Sequence, residues 1–251
     1  MTSHTAYIDM EFAGIYGTHQ SLQIPIEIGV LIHQPDSDTL SFTGRAFNRT
    51  IDVELWKNIT DDLGKRIEGQ RRVFNLASRG HTKMFDKKFH LGAEGSREAR
   101  RAIDDVHRDL REFMQALNQK DIGTIVFFAR RREVETFRNS RVNTDGFLIR
   151  DLQEEIRSSF RLKEHVSLDR VSLVTNFGIT KSTVSSAHFS YTLPEKFRYL
   201  IKPHKAIGDA ARMFLVDLEF HQFPEQFEEE LTGHIEEYER RKVAEKSAPD
   251  G

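Results

Sequence analysis

The sequence KPHKAIGDAARMFLVDLEF, residues Lys202–Phe220, places His204 five positions before Asp209 and continues as an apolar helix face. Pro203 favours a loop or first turn at His204, with Asp209 inside the helix that follows. From that loop the imidazole can approach the face that Asp209 presents. Because unperturbed imidazole titrates near ~6.5, such a ring can accept a proton at neutral pH. The alternative is a surface His that merely precedes a helix.

A second chemically suggestive stretch lies near the start of the chain, at Tyr7–Phe12, YIDMEF. It predicts a short buried strand, in which Asp9 and Glu11 point to the same face because side chains alternate along a strand. Two neighbouring carboxylates among apolar residues are costly unless a cation holds them. Carboxylate oxygens suit Mg²⁺ or Mn²⁺. The alternative is a pair at a strand end that faces solvent.

Composition limits the classes of function. The chain has 251 residues, a length that suits one large domain with additions. Its formal net charge of −2 gives no global attraction to nucleic acid, so a polyanion would have to meet a local basic patch or metal ions. With no cysteine, no disulfide frame or Cys-ligated zinc is expected. No signal peptide or apolar run of ~20 residues is recognised, so we expect a soluble, cytoplasmic protein without a membrane partner.

Apolar periodicity predicts the order of the elements along the chain. Apolar or alternating runs predict strands at Thr5–Met10, Pro25–Gln34, Thr39–Asn48 and Thr124–Ala129. Helical spacing predicts helices within Ile51–Ile67, Ser96–Asn118, Asp145–Phe160, Ala206–Leu218 and Glu225–Lys242, and one that begins after Ala129. Val166–Phe177 is interpreted as a loop, with or without one strand. We expect a domain at residues 1–220 with an insertion at 66–95, and a charged helix with a disordered tail at 221–251.

Taken in order, these features resemble a known family. They are an Asp-x-Glu on the first of three strands, an apolar strand leading to an acid, and His-x-x-x-x-Asp at a helix start. The chain resembles the DEDDh 3′–5′ exonuclease superfamily, the DnaQ-like group within the RNase H-like fold. The resemblance spans Thr5–Phe220, and its two outer motifs are specific as a pair. It implies an α/β fold with a mixed central sheet, three antiparallel strands first and parallel additions later, flanked by helices.

The middle motif departs from the family pattern. The family places an Asp a few residues beyond the apolar strand, with an apolar residue four positions later. Thr124–Phe137, TIVFFARRREVETF, fits this frame, but the acid in it is Glu133. Glu is one methylene longer than Asp, so its carboxylate still suits a divalent ion. Other acids, Asp121, Glu135, Asp145 and Asp151, fit the frame less well.

The resemblance implies two-metal hydrolysis at the 3′ end of single-stranded RNA or DNA, with Mg²⁺ or Mn²⁺ as the two ions. Asp9 would bridge the ions. Glu11 and Asp209 would hold the ion that carries the attacking water, and Glu11 would also help to orient that water. Glu133 would help to hold the second ion. His204 would act as the general base.

Nucleic-acid contacts are predicted beside these ligands. Met10 and Phe12 belong to the first motif and are predicted to contact the bound nucleic-acid strand. Arg130, Arg131 and Arg132 form a dense basic run that could contact phosphates. The alternative is that the three arginines form a solvated helix start.

Two other classes of function remain open. The Glu at position 133 motivates a nucleic-acid-binding module of the same fold whose catalysis is impaired. The charged helix Glu225–Lys242, with a thin apolar seam, motivates a structural partner protein or a homodimer formed through this helix.

Overall fold

The computed structural model describes residues 3–15, 22–47, 50–57, 71–75, 89–91, 93–198, 201–202 and 205–247. Side-chain environments are described at residues 3–12, 24–47, 100–198, 201–202 and 205–241. The strands in chain order are β1 (His4–Ile15), β2 (Leu22–Gln34), β3 (Thr39–Ala46), β4 (Thr50–Lys57), β5 (Arg71–Asn75), β6 (Phe89–Leu91), β7 (Ile122–Phe127), β8 (Leu148–Asp151), β9 (Gly178–Ile179), β10 (Thr183–Ser185) and β11 (Ser190–Thr192). The helices are α1 (Ala93–Leu117), α2 (Arg131–Asn139), α3 (Leu152–Ser159), α4 (Leu168–Val174), α5 (Ala206–Gln222) and α6 (Pro224–Ser247).

The chain is an α/β protein built on a five-stranded mixed sheet in the order β3-β2-β1-β7-β8. Strand β2 is antiparallel to both β1 and β3, whereas β7 pairs in parallel with β1 and β8 pairs in parallel with β7. Parallel neighbours need a crossover connection, which α1 provides between the two halves of the sheet. The almost wholly apolar β7 lies between β1 and β8, as its composition predicts.

Two hydrophobic clusters cover the two faces of this sheet. On one face Ile8 and Met10 pack in a cluster with Val106 and Leu110 of α1. On the other face Tyr7 belongs to a cluster dominated by α5, with α3, α4 and α6 around it. The alternation of side chains along β1 therefore sends odd-numbered residues, including Asp9 and Glu11, toward the α5 side.

Most long elements predicted from periodicity are confirmed. Strands β1, β2, β3 and β7, and helices α1, α2, α5 and α6, lie where the apolar patterns place them. Their bounds differ by a few residues, and α1 begins at Ala93, three residues before the predicted start at Ser96.

Three predicted segments are wrong in type. Residues 50–57 form β4, not the start of a helix, and β4 pairs with β5 and β6 in a separate sheet. Within the predicted 66–95 insertion, the structure describes β5, β6 and the first three residues of α1. The remainder of the insertion, and residues 58–65 before it, lie outside the described residues. Leu148–Asp151 is a strand because it pairs with β7, so the predicted helix begins only at Leu152. Val166–Phe177 contains helix α4.

The C-terminal helix α6 is part of the fold's core. Phe227 and Leu231 are buried in the cluster that covers the α5 face, and Ile235 packs against it. The end of the predicted disordered tail, 248–251, lies outside the described residues. Within the described ranges, every helix is too short or too polar to cross a lipid bilayer.

Candidate metal centre

A cleft lies beside the part of β1 that extends beyond its pairing with β7. β1 pairs with β7 only as far as Tyr7, and the chain leaves β7 at Phe127 to enter α2. The remainder of β1 and the start of α2 then border a cavity of about 610 Å³. Its lining residues are Asp9, Met10, Phe12, Phe128, Ala129, Arg131, Arg132, Glu133 and Glu135. Carboxyl ends of parallel strands are the usual place for ligand sites in open α/β sheets.

A glycine lets α5 approach the carboxylates of β1. Gly29 on β2 is the direct cross-strand partner of Asp9. A Cβ atom at Gly29 would lie 2.1 Å from the backbone nitrogen of Ile207, so only glycine admits the first turn of α5 here. Because Asp209 lies in that first turn, this close approach carries it over the face that holds Asp9.

Three predicted ligands come together. The carboxylates of Asp9, Glu11 and Asp209 each offer an oxygen, and these oxygens lie within 4.8 Å of one another. Burial raises the pKa of Asp9 well above its usual value, and the charges of Asp209 and Glu11 raise it further. Carboxylates this close repel one another, so a bound cation would relieve the cost of ionising Asp9.

Glu133 lies across the same cleft but does not join this three-carboxylate group. It stands in the first turn of α2, is only 8% exposed, and its charge also raises the pKa of Asp9. Burial raises the pKa of Glu133 itself to about 7. Among the described residues, its Oε2 atom is buried without a hydrogen-bond partner, which is unusual for a carboxylate oxygen. A cation that reached this oxygen would satisfy it.

The turn before α2 is held by a different acid. Ala129 has a left-handed backbone with φ of 64°, which is uncommon for a residue with a side chain. Asp151, at the end of β8, accepts hydrogen bonds from the backbone nitrogens of Ala129 (3.2 Å) and Arg130 (3.1 Å). It also accepts one from Glu154 and thereby caps α3. Asp151 therefore organises the turn that presents Glu133.

Sequence reasoning missed one acid near the site, Glu27. It is the cross-strand partner of Glu11, and its charge contributes to the raised pKa of Asp9. Its Oε2 lies 3.3 Å from Nζ of Lys205, the residue that immediately precedes α5. The signal was present in Pro25–Gln34, where Glu27 is the one acid in an apolar strand. Only the pairing of β2 with β1 shows which face that acid occupies.

The residues predicted to contact nucleic acid differ in exposure and in their position relative to the cleft. Arg130, Arg131 and Arg132 are all exposed, and the last two line the cleft. The guanidinium of Arg132 stands 5.2 Å from the ring centre of Phe12. Met10 is only 4% exposed and packs in the core, so its side chain offers little surface to a bound strand. The predicted base, His204, lies outside the described residues.

A second group of possible ligands consists of Asp217 and His221, farther along α5, and Glu155 on α3. Arg150 already occupies it, donating to Asp217 at 2.8 Å and to Glu155 at 3.0 Å. The hydroxyl of Tyr7 donates to Asp217 at 2.7 Å. Because Arg150 binds both carboxylates of this group, it is a structural ion-pair network and not a cation site.

The donors around Asp9 fit a hard divalent cation. All of them are carboxylates, one carries an orphaned buried oxygen, and the cleft opens to solvent. Mg²⁺ and Mn²⁺ prefer such oxygen ligands, usually together with water or substrate phosphate.

No protein-family model matches the chain, and neither a curated protein nor a solved structure matches it. Any function must therefore be argued from the geometry and chemistry of this cleft.

Proposed function

We propose that the chain is a divalent-cation-dependent 3′–5′ exonuclease that acts on single-stranded RNA or DNA. The observation that carries the proposal is the convergence of Asp9, Glu11 and Asp209 to within 4.8 Å. These residues come from opposite ends of the chain, and they were predicted as one ligand set. The five-stranded mixed sheet is compatible with the RNase H-like fold that this proposal requires.

In this proposal Asp9, Glu11 and Asp209 hold the cation, and Glu133 faces it from α2. The bound ion would supply positive charge to the scissile phosphate and make water a better nucleophile at neutral pH. Arg131 and Arg132 would bind phosphates on the open side of the cleft, where both are exposed. His204 keeps its proposed role as proton acceptor, on the strength of the sequence motif alone.

The replacement of the usual Asp by Glu133 supports one competing function. Glu133 has a pKa of about 7, so a substantial fraction is neutral at physiological pH. A site that ionises reluctantly would bind cations weakly, and the protein would then be a nucleic-acid-binding module with impaired catalysis.

Hydrolysis of a 5′-labelled single strand with Mn²⁺ tests the proposal. Wild-type protein should shorten RNA, DNA or both from the 3′ end, one nucleotide at a time. Asp9→Asn and Asp209→Asn should abolish shortening because each removes a charged ligand. Asp38→Asn is the matched control, since Asp38 is an exposed carboxylate in the β2–β3 turn and should leave activity intact.

Binding of the same strand, measured by fluorescence anisotropy in chelator, separates the alternatives. Binding without cleavage by wild type, unchanged by either substitution, would support the impaired module and reject the enzyme. Cleavage that persists in Asp9→Asn would assign activity to another site.

A further inference from the structure

Arg212, one turn after Asp209 on α5, makes an unusually complete set of contacts. It is only 5% exposed. Its Nη1 donates to Oδ1 of Asp209 at 2.8 Å, and its Nη2 donates to Oδ1 of Asp169 on α4 at 2.6 Å. Its Nε donates to the hydroxyl of Ser172 at 3.1 Å. Arg212 is thus held by α4 on one side, while on the other it contacts Asp209, a member of the three-carboxylate group.

The first consequence is orientation. A guanidinium is planar and always charged, and here three of its nitrogens are fixed by partners in different directions. The hydrogen bond to Asp209 therefore fixes the rotation of that carboxylate relative to Asp9 and Glu11. Partners that orient metal ligands in this way commonly govern metal affinity.

The second consequence concerns charge. An unshared guanidinium beside Asp209 would repel a cation and compete with it for the carboxylate. Asp169, whose side chain is 62% exposed, supplies the counter-charge at 2.6 Å. Shared between two acids, Arg212 can orient Asp209 without presenting a full positive charge to the cleft.

We infer that Arg212 is a positioning residue of the cation site and that Asp169, on the surface of α4, sets the site's affinity through it. This inference rests on the proposed cation site. It assigns a role to a surface acid that is not a ligand.

A second network on the same helix supplies matched controls. Arg150 is shared between Asp217 of α5 and the partly exposed Glu155 of α3, just as Arg212 is shared between Asp209 and Asp169. Arg150→Lys and Glu155→Gln therefore make the same chemical changes as Arg212→Lys and Asp169→Asn, but away from the three-carboxylate group.

The experiment measures Mn²⁺ binding to the full chain, from the loss of the free-ion electron paramagnetic resonance signal, and thermal unfolding of the same samples. Arg212→Lys should weaken Mn²⁺ binding by about 10–100-fold, the usual effect of removing a ligand's partner. Asp169→Asn should weaken it by a smaller factor, because the guanidinium loses its counter-charge. The two control variants should bind Mn²⁺ within about twofold of wild type, an outcome expected of sites without shared partners.

The outcomes are separable. If wild type binds Mn²⁺ and Asp169→Asn binds it equally well or more tightly, the inference is overturned. If Arg212→Lys lowers only the unfolding temperature, Arg212 has a purely structural role, and the inference is likewise overturned. If Arg212→Lys does not fold, Asp169→Asn decides alone, because the amide oxygen of Asn at this exposed position can still accept a hydrogen bond from Arg212. If wild type shows no Mn²⁺ binding that Asp9→Asn removes, the proposed function itself fails, and this inference fails with it.

Discussion

At the scale of single residues, the buried carboxylate of Glu133 is a source of instability in the folded chain. Glu133 is 8% exposed, and one of its carboxylate oxygens has no hydrogen-bond partner in the part of the chain that the structure describes. A buried polar atom without a partner is destabilising unless something else satisfies it. We expect the ion-free protein to bear this cost and a bound cation to remove it.

We predict that Glu133→Gln stabilises the ion-free protein at pH 8. Burial raises the pKa of Glu133 to about 7, above its usual value of 4.5. The folded state therefore holds its proton longer than the unfolded state, and wild-type stability falls as pH rises between these two values. Glu133→Gln should raise the free energy of unfolding by at most about 3 kcal/mol at pH 8, and this gain should disappear near pH 4.

Urea unfolding in chelator at the two pH values measures this difference. Glu135→Gln, at an exposed position on the same helix, is the control and should show no such gain. A Glu133→Gln variant that is less stable than wild type at pH 8 would show that the buried carboxylate has a partner within the folded chain.

Two histidines should give opposite pH dependences of stability. Hydrogen bonding to Asp217 raises the pKa of His221, whereas burial lowers the pKa of His107. The His221 contribution is present at low pH and is lost as pH rises through its folded pKa. His221→Gln should therefore destabilise the protein more at pH 5.5 than at pH 8.5.

His107→Gln should show the reverse trend and destabilise the protein more at pH 8.5 than at pH 5.5. As pH falls, the buried ring of the wild type must become charged, which lowers the wild-type free energy of unfolding. Urea unfolding of wild type and both variants across this pH range checks the signs. Parallel trends in the two variants would contradict the assigned causes.

At the scale of elements, the approach of α5 to the sheet creates the site. Asp209 reaches Asp9 only because β2 has no side chain at Gly29, where the backbone of Ile207 lies. The ligand set therefore depends on one helix–sheet contact, and it should be sensitive to changes that touch no ligand.

We predict that Gly29→Ala weakens Mn²⁺ binding and lowers stability by about 1–3 kcal/mol, the usual cost of overpacking. The new Cβ would be 2.1 Å from a backbone nitrogen, so the first turn of α5 must move and carry Asp209 away. Binding and urea unfolding of the variant measure the two effects.

Gly233→Ala is the control, because a Cβ there meets nothing within 4 Å. In the interior of α6 it should stabilise the protein by up to about 1 kcal/mol through helix propensity, with Mn²⁺ binding unchanged. Normal Mn²⁺ affinity in Gly29→Ala would show that α5 tolerates displacement without loss of the site.

At the scale of the whole molecule, α6 belongs to the same core as the helix that carries Asp209. Its apolar seam was one basis for the hypothesis of a homodimer. Phe227 and Leu231 are 4% and 0% exposed within the single chain. Both side chains are therefore already buried and offer little surface to a second copy.

We predict that Phe227→Ala lowers the free energy of unfolding by about 3–5 kcal/mol, as for other buried aromatic truncations. Glu228→Ala, at the exposed neighbouring position, should have little effect. The loss should not depend on protein concentration, because the contacts are made within one chain. An unfolding midpoint that shifts with protein concentration would instead support the homodimer hypothesis.

Long, strongly patterned segments were predictable from sequence, and so was part of the site. Period-two alternation in Tyr7–Phe12 places Asp9 and Glu11 on one face of a strand, and the apolar stripe after Lys205 predicts α5. Short elements were not predictable. Leu148–Asp151 is a strand because β7 pairs with it, and a segment of that length carries too little local preference to show this.

The sequence by itself determined the chemistry available: carboxylates on a first strand, a carboxylate in the first turn of a late helix, and a Glu shortly after an apolar strand. Only the tertiary structure decided that three of these acids meet, that Glu27 lies beside them, and that Arg212 links Asp209 to Asp169. The physical reason is the separation along the chain of the residues that interact. Periodicity reflects contacts within a few residues, whereas convergence of the site depends on strand register and on one glycine-sized gap between elements far apart in the chain.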